Sequence, residues 1–271
     1  MKKILPLFYK LTGIKGIKSK KIKDGITNIN YKVSTLTQDY VIRIPRENLI
    51  GINRINEKKV IELVKPLNIN VDIIYYDENT GILISKYVKN NKRNKVIFKD
   101  VSSCIKKLHS TECNNIDKFD PFELIRKYKT IVKDINFDNE NKLILKVKEI
   151  YQNYPLVLCH NDLLYANFIS FKDTNYLIDY EYAGKNIAIF DVVSFLNEND
   201  IEDIDKQLEF IKSYYEKVDD KLLNDINTMF VFLDMLWAYW AYMMYKLYND
   251  KVFLSIALNK HKRYNLKSCI Y

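Results

Sequence analysis

A chain of 271 residues, 48% hydrophobic and 28% charged, can bury a sizeable core, which excludes disorder as its default state. Its length is long for one compact lobe and short for two independent domains, so one functional unit of two lobes is expected. The net charge of +9 comes from lysines scattered along the chain without a long like-charged run, which argues against a nucleic-acid specialist.

The opening stretch, MKKILPLFYK, is basic and then apolar, but its apolar part is too short for a signal peptide. The first 90 or so residues read mostly as strand. Residues 20–35 carry a turn signal at Asp24-Gly25, and residues 38–44 (QDYVIRI) complete a hairpin. Residues 52–67 switch to helical spacing, with Ile52, Ile55, Ile61 and Val64 apolar among charged neighbours. Two further strands, 71–76 and 81–88, flank a turn at 77–81. The result is a small antiparallel sheet with one main helix.

After Asn90 the period becomes helical. Val101, Ile105 and Leu108 mark one helix, and Asp120-Pro121-Phe122-Glu123 is a helix start in which Asp caps and Glu can close a capping box. Another helix is expected over 141–151. From Ile201 the pattern is helical almost to the end. The most apolar window, 229–245, holds Asp234 and falls short of the roughly 20 residues of a membrane span, so a buried amphipathic helix is expected. Cys104, Cys113, Cys159 and Cys269 lack paired spacing, which speaks against zinc or disulfides and fits a reducing cytoplasm.

The chemistry concentrates in residues 156–198. An apolar run breaks at His160-Asn161-Asp162, Asn167 follows five residues after that Asp, and a second apolar run delivers Asp179. Phosphoryl transfer needs phosphates and acceptor held in line, a base near the acceptor hydroxyl, and hard oxygen ligands for Mg²⁺. Asp162 suits the base; Asn167 and Asp179 suit the metal. Any one of these residues alone is more commonly a turn or cap former; two β-rich runs that each end in a carboxylate are harder to dismiss. His160 is expected to hold its loop through ring hydrogen bonds, and His109 to end a helix as a packing or hydrogen-bonding residue.

These residues carry a resemblance. His160-Asn161-Asp162-Leu163-Leu164-Tyr165-Ala166-Asn167 and Ile178-Asp179-Tyr180-Glu181-Tyr182-Ala183 resemble the signature of the choline/ethanolamine kinase family, within the wider aminoglycoside-phosphotransferase-like kinases. The likeness extends through Phe190-Asp191-Val192-Val193, Asp24-Gly25-Ile26-Thr27-Asn28 and Tyr40-Val41-Ile42-Arg43-Ile44, from about residue 20 to 265. It implies an α+β, protein-kinase-like fold of two lobes. Residues 1–88 would form the nucleotide-binding lobe, residues 89–271 the catalytic and acceptor-binding lobe, with a hinge near 85–89.

On the nucleotide side, Gly25, Thr27 and Asn28 would form the turn over the phosphates, although the turn alone reads as an ordinary hairpin. Arg43 interrupts an apolar strand, where an uncompensated charge is costly, and Glu57 on the following helix is its natural partner. The resemblance places Arg43 on the phosphates; a structural ion pair would look the same in sequence. Backbone around Ser85 and Tyr87 would meet the adenine.

On the acceptor side, Trp237 and Trp240 lie three residues apart on one helix face. Such a stripe is more often core than ligand box. Beside kinase motifs it becomes a candidate wall for a quaternary ammonium, with Phe253 or Tyr248 as further aromatics. Glu198 resembles, by spacing from Asp179, the family's choline-side acidic residue. The expectation is therefore an ATP- and Mg²⁺-dependent choline kinase, with ethanolamine or an aminoglycoside as alternative acceptor, or a kinase-like nucleotide-binding protein without transfer. Expected partners are ATP and choline or ethanolamine, with no nucleic acid, no membrane span, and room for a homodimer.

Overall fold

The computed structural model describes residues 3–22, 25–47, 49–90, 97–171 and 174–268. Asp24 and Cys269 lie outside them. The chain divides into two compact units, residues 1–108 with 165–183, and residues 109–164 with 184–271. The segment 165–183 belongs with the first because Leu177 N–H donates to the Ile69 carbonyl at 2.6 Å and Asn90 holds the backbone of Phe168 and Ser170.

The first unit opens with helix α1 (Ile4–Thr12), followed by strands β1 (Lys18–Lys21), β2 (Asn28–Ser34) and β3 (Asp39–Pro45). Helix α2 (Arg54–Val64), strands β4 (Ile73–Tyr76) and β5 (Leu83–Lys86), and helix α3 (Phe98–His109) complete its first stretch. The five strands form one antiparallel sheet in the order β1-β2-β3-β5-β4. Strands β2 and β3 pair antiparallel from Asn28↔Pro45 to Ser34↔Asp39, the hairpin expected from the sequence. Of the later strands, β6 (Leu156–Cys159) and β9 (Gly184–Ile187) pair in the second unit, while β7 (Phe168–Phe171) and β8 (Thr174–Leu177) pair in the first.

Strand alternation sorts the sheet into two faces. Tyr40 and Ile42 of β3, Val33 of β2 and Ile84 of β5 pack with Ile4 and Phe8 of α1. The intervening Val41, Arg43, Leu83 and Ser85 line a cavity. Helix α1 answers to no expectation from the sequence, where its residues read only as a failed signal peptide. Ile4 and Phe8 are four apart and share a face, Pro6 falls in the first turn, where it displaces no helical hydrogen bond, and left-handed Gly13 (φ 71°) returns its N–H to Tyr9.

The second unit is helical: α4 (Pro121–Ile131), α5 (Glu140–Asn153), α6 (Ala188–Glu198), α7 (Ile204–Tyr214), α8 (Asp220–Tyr248) and α9 (Lys251–Ser268). Helix α4 starts as expected, with Asp120 accepting from the N–H groups of Phe122 and Glu123 at 2.9 Å. Glu123 pairs with Lys127 at 2.7 Å. Helix α8 is buried on all sides between Met229 and Ala241 because α4, α5, α6 and α9 pack around it. Among the described residues no helix is long and apolar enough to cross a membrane.

Candidate active site

The sheet face opposite α1 opens into a cavity of about 550 Å³ within the first unit. Its walls are apolar at Val41, Ile61, Val71 and Leu83, and polar at Arg43, Asn167 and Asp179. Gly25, Ser85 and Tyr87 also line it. The amides of Lys86 and Tyr87 are engaged, donating to the carbonyls of Asp72 and Asp39 at 2.8 and 2.9 Å.

A buried charge cluster borders that cavity. Arg43 lies 2.6 Å from Glu57 and 2.8 Å from Asp179, and donates to the Gly81 carbonyl at 3.2 Å. The expected helix partner of Arg43 is thus in contact with it. Helix α2 delivers Glu57 because Asn53 caps its first turn, accepting from Ile55 and Asn56 at 3.1 Å. The same carboxylate accepts from Arg54 at 2.6 Å and from the Tyr76 hydroxyl at 2.8 Å. Glycine suits position 81: its φ is 72°, and a Cβ there would require the Arg54 side chain, 2.5 Å away, to shift.

Glu181, buried beside Asp179, accepts from Asn28 at 3.0 Å and from Arg54 at 3.3 Å. Asn28, expected to face phosphate, therefore points its amide at carboxylates, reaching Asp179 as well at 3.5 Å. Thr27 accepts from the same amide at 3.3 Å. Burial would push the Arg43 pKa down, but Glu57, Asp179 and Glu181 outweigh it and hold the guanidinium firmly charged. Burial would raise Glu57, yet Arg43 and Arg54 keep it below the ordinary carboxylate range. Glu181 goes the other way: burial first, then Asp179, lift it to about 7 against the two arginines.

Among the described residues the cluster sets three carboxylates against two guanidiniums, and Glu181 registers the excess. A divalent cation would relieve it, and Asn167 and Asp179 on the cavity wall offer the oxygen donors that Mg²⁺ prefers. On the same wall, the buried Arg43 Nε–H has no hydrogen-bond partner among the described residues, a donor that a phosphate oxygen would satisfy. The residues present fit both groups.

Asp162 stands in the second unit, in the loop after β6. Its amide donates to Nδ1 of buried His160 at 3.3 Å, so the imidazole holds the loop as expected. Asp191 on α6 anchors the same loop. Its carboxylate accepts from the amides of Asn161 at 2.7 Å and His160 at 2.8 Å, and meets His109 Nε2 at 3.0 Å. His109 ends α3 with its other nitrogen 2.7 Å from the Tyr214 hydroxyl. Two loop residues are left-handed, Asn161 (φ 66°) and Asp179 (φ 70°), the first at the start of the Asp162 loop and the second just after β8.

The acceptor-side residues are also in the second unit. Trp237 and Trp240 are both buried in α8, edge to face at a centroid distance of 6.1 Å, and Trp240 meets Phe253 at 5.7 Å. Tyr248 packs on Phe253 at 6.2 Å. Glu198 accepts from the Lys260 ammonium at 2.6 Å. Burial raises its pKa, and Lys260 opposes that. Glu198 is thus paired with a lysine, and the tryptophans pack against rings.

Four residues at these clusters carried no assigned role in the sequence: Arg54, Glu181, Asp191 and Lys260. Arg54 had a local signal, three residues before Glu57 on one helix face. Lys260 had none, since its contact with Glu198 spans 62 positions.

A family model for choline/ethanolamine kinases matches residues 19–265. The protein LicA of Haemophilus influenzae is 27% identical over 190 residues, which cover 64% of this chain and 56% of that protein. Ethanolamine kinase 2 of Rattus norvegicus is 26% identical over 208 residues, covering 67% and 53%. The chain spans about half the length of these curated relatives. In three dimensions it resembles the crystal structure of choline kinase LicA from Streptococcus pneumoniae, with a TM-score of 0.82 at 23% identity over 100% of this chain and 99% of that one.

Proposed function

The chain belongs to the choline/ethanolamine kinase family, and we propose that it transfers the γ-phosphoryl group of ATP to the hydroxyl of choline. The observation that carries this reading is the run of Arg43, Asn167 and Asp179 along one wall of an otherwise largely apolar cavity. An adenine would lie against Val41, Ile61 and Leu83. Because the Lys86 and Tyr87 amides are already engaged, its edge would turn to the backbone from Val88 onward, which also lines the cavity.

Arg43 holds phosphate, with Glu57 fixing its fork. Asn167 and Asp179 would hold Mg²⁺, which supplies positive charge to the phosphate oxygens when bound. Asp162 accepts the hydroxyl proton as the choline oxygen bonds to the γ-phosphorus and the bond to the β–γ bridging oxygen breaks, releasing ADP. Glu198, Trp237 and Trp240 serve the acceptor, the rings attracting a cation that has no N–H to donate. Functionally, residues 1–88 would serve the nucleotide, and residues 89–271 the transfer and the acceptor.

A coupled ADP-release assay with choline, ethanolamine and an aminoglycoside panel, run with and without Mg²⁺, tests this. Choline should be the best acceptor, and only with Mg²⁺. Faster turnover of an aminoglycoside would overturn the reading, as would tight ATP binding without ADP release on any acceptor. Ethanolamine is the second reading, supported by the carboxylate of Glu198 and by the ethanolamine kinase among the relatives.

A further inference from the structure

Helices α8 and α9 run antiparallel after the left-handed Asn249, and side-chain pairs mark their seam. Trp240 packs on Phe253, and further along Asp234 lies 3.8 Å from the Lys260 ammonium. Trp237 is three residues from both Trp240 and Asp234, so the aromatic pair and the charged pair occupy one continuous helix face. Lys260 is only 5% exposed. It donates to Glu198 at 2.6 Å and to the Asn197 side chain. Asp234, fully buried, takes Arg263 at 3.2 Å and Lys267 at 3.4 Å, and Arg263 also reaches Asp200 at 2.9 Å.

Among the described residues three carboxylates therefore face three cations, and these charges are paired before any acceptor arrives. A primary ammonium brings three N–H donors that need acceptors once buried. To use Glu198 it must compete with a lysine already in hydrogen-bond contact. A quaternary ammonium has no N–H and is held by ring faces, so it needs no hydrogen bond to that carboxylate and leaves the Lys260 contact in place.

We propose that Lys260 is a specificity-determining residue: by holding Glu198, it disfavours primary-ammonium acceptors and leaves a quaternary ammonium, met by Trp237 and Trp240, as the better substrate. This rests on the choline-kinase reading above. Lys260 acts through Glu198, so it is a positioning residue rather than a catalytic one.

The test is the methyl series ethanolamine, N-methylethanolamine, N,N-dimethylethanolamine and choline, measured as kcat/KM. In the wild type the value should climb with each methyl, to at least about tenfold from first to last, mainly through KM. In K260Q the gap should shrink by about tenfold, and in K260R it should persist. Ethanolamine matching choline in the wild type overturns the proposal. So does a folded K260Q, checked by thermal melting, with the wild-type ratio, or a K260R that loses the ratio equally. Should K260Q not fold, K260R decides: a folded K260R that keeps the wild-type ratio supports the proposal, and one that loses it overturns it. No turnover of any of the four sinks the choline-kinase reading and this inference together, whereas turnover without a methyl gradient sinks only the inference.

Discussion

The first unit sets the carboxylates of Glu57, Asp179 and Glu181 against the guanidiniums of Arg43 and Arg54, beside an open cavity. The second unit sets Glu198, Asp234 and Asp200 against Lys260, Arg263 and Lys267, along a helix seam. One sum is short of a positive charge and the other is balanced. Burying ions is costly in both, so the difference lies in what each still asks of a ligand. The first invites a cation and an anion together, as a metal–nucleotide pair would be. The second has its ions already paired, and leaves discrimination to shape and ring faces.

The largest expected effect separates chemistry from both clusters. Asp162→Asn should lower turnover by about 10²–10⁴-fold while the protein still folds cooperatively in a thermal melt. Retained turnover would remove Asp162 from the reaction. Next come the clusters themselves. Arg43→Met and Asp234→Asn each leave buried charges uncompensated, and chemical denaturation should show a loss of roughly 3–5 kcal/mol for each. A much smaller loss in Asp234→Asn would mean that the second cluster is not the closed unit its charge count suggests.

A third, smaller effect tests the missing charge directly. Mg²⁺ with a non-hydrolysable ATP analogue at about 100 times its dissociation constant should stabilise the protein by roughly 2.7 kcal/mol. Asp179→Asn should forfeit the Mg²⁺-dependent part of that gain, and Asp234→Asn should keep it. Equal loss in both would erase the distinction between the clusters. The smallest effect is on pH. Glu57 has a folded pKa below its ordinary value of 4.5, so it adds stability above that value and loses it as pH falls through the folded one. Glu57→Gln should be destabilised at neutral pH and should show a shallower acid loss than the wild type in a pH series of melts.

Much of the first cluster could be read ahead of the structure because its signals are local. A lone arginine in VIRI needs a partner, and the next helix offers Glu57. Asp120 before Pro121 announces a helix by capping alone. The second cluster was illegible for the opposite reason: Glu198, Asp234 and Lys260 come from three helices, and no short-range pattern links them. Helix α1 escaped notice because nine residues carry little periodicity, and what fixes them is the sheet face they cover. Residues 165–183 read as one motif with the loop before them, yet pack with the first unit through Ile69 and Asn90, contacts set by tertiary pairing rather than by sequence neighbourhood.

The left-handed backbone at Asn161 and Asp179 bears on how such a protein can drift over generations. At φ 66° and 70° a Cβ crowds the chain, and only glycine, asparagine and aspartate take that conformation routinely. The substitutions open to Asp179 without a backbone change are therefore few, and asparagine is the one that alters charge while keeping shape. An alanine there would shift the loop as well as the carboxylate, so its loss of activity would report two events at once. Random mutagenesis at these two positions should return a short alphabet, written by backbone geometry before chemistry has any say.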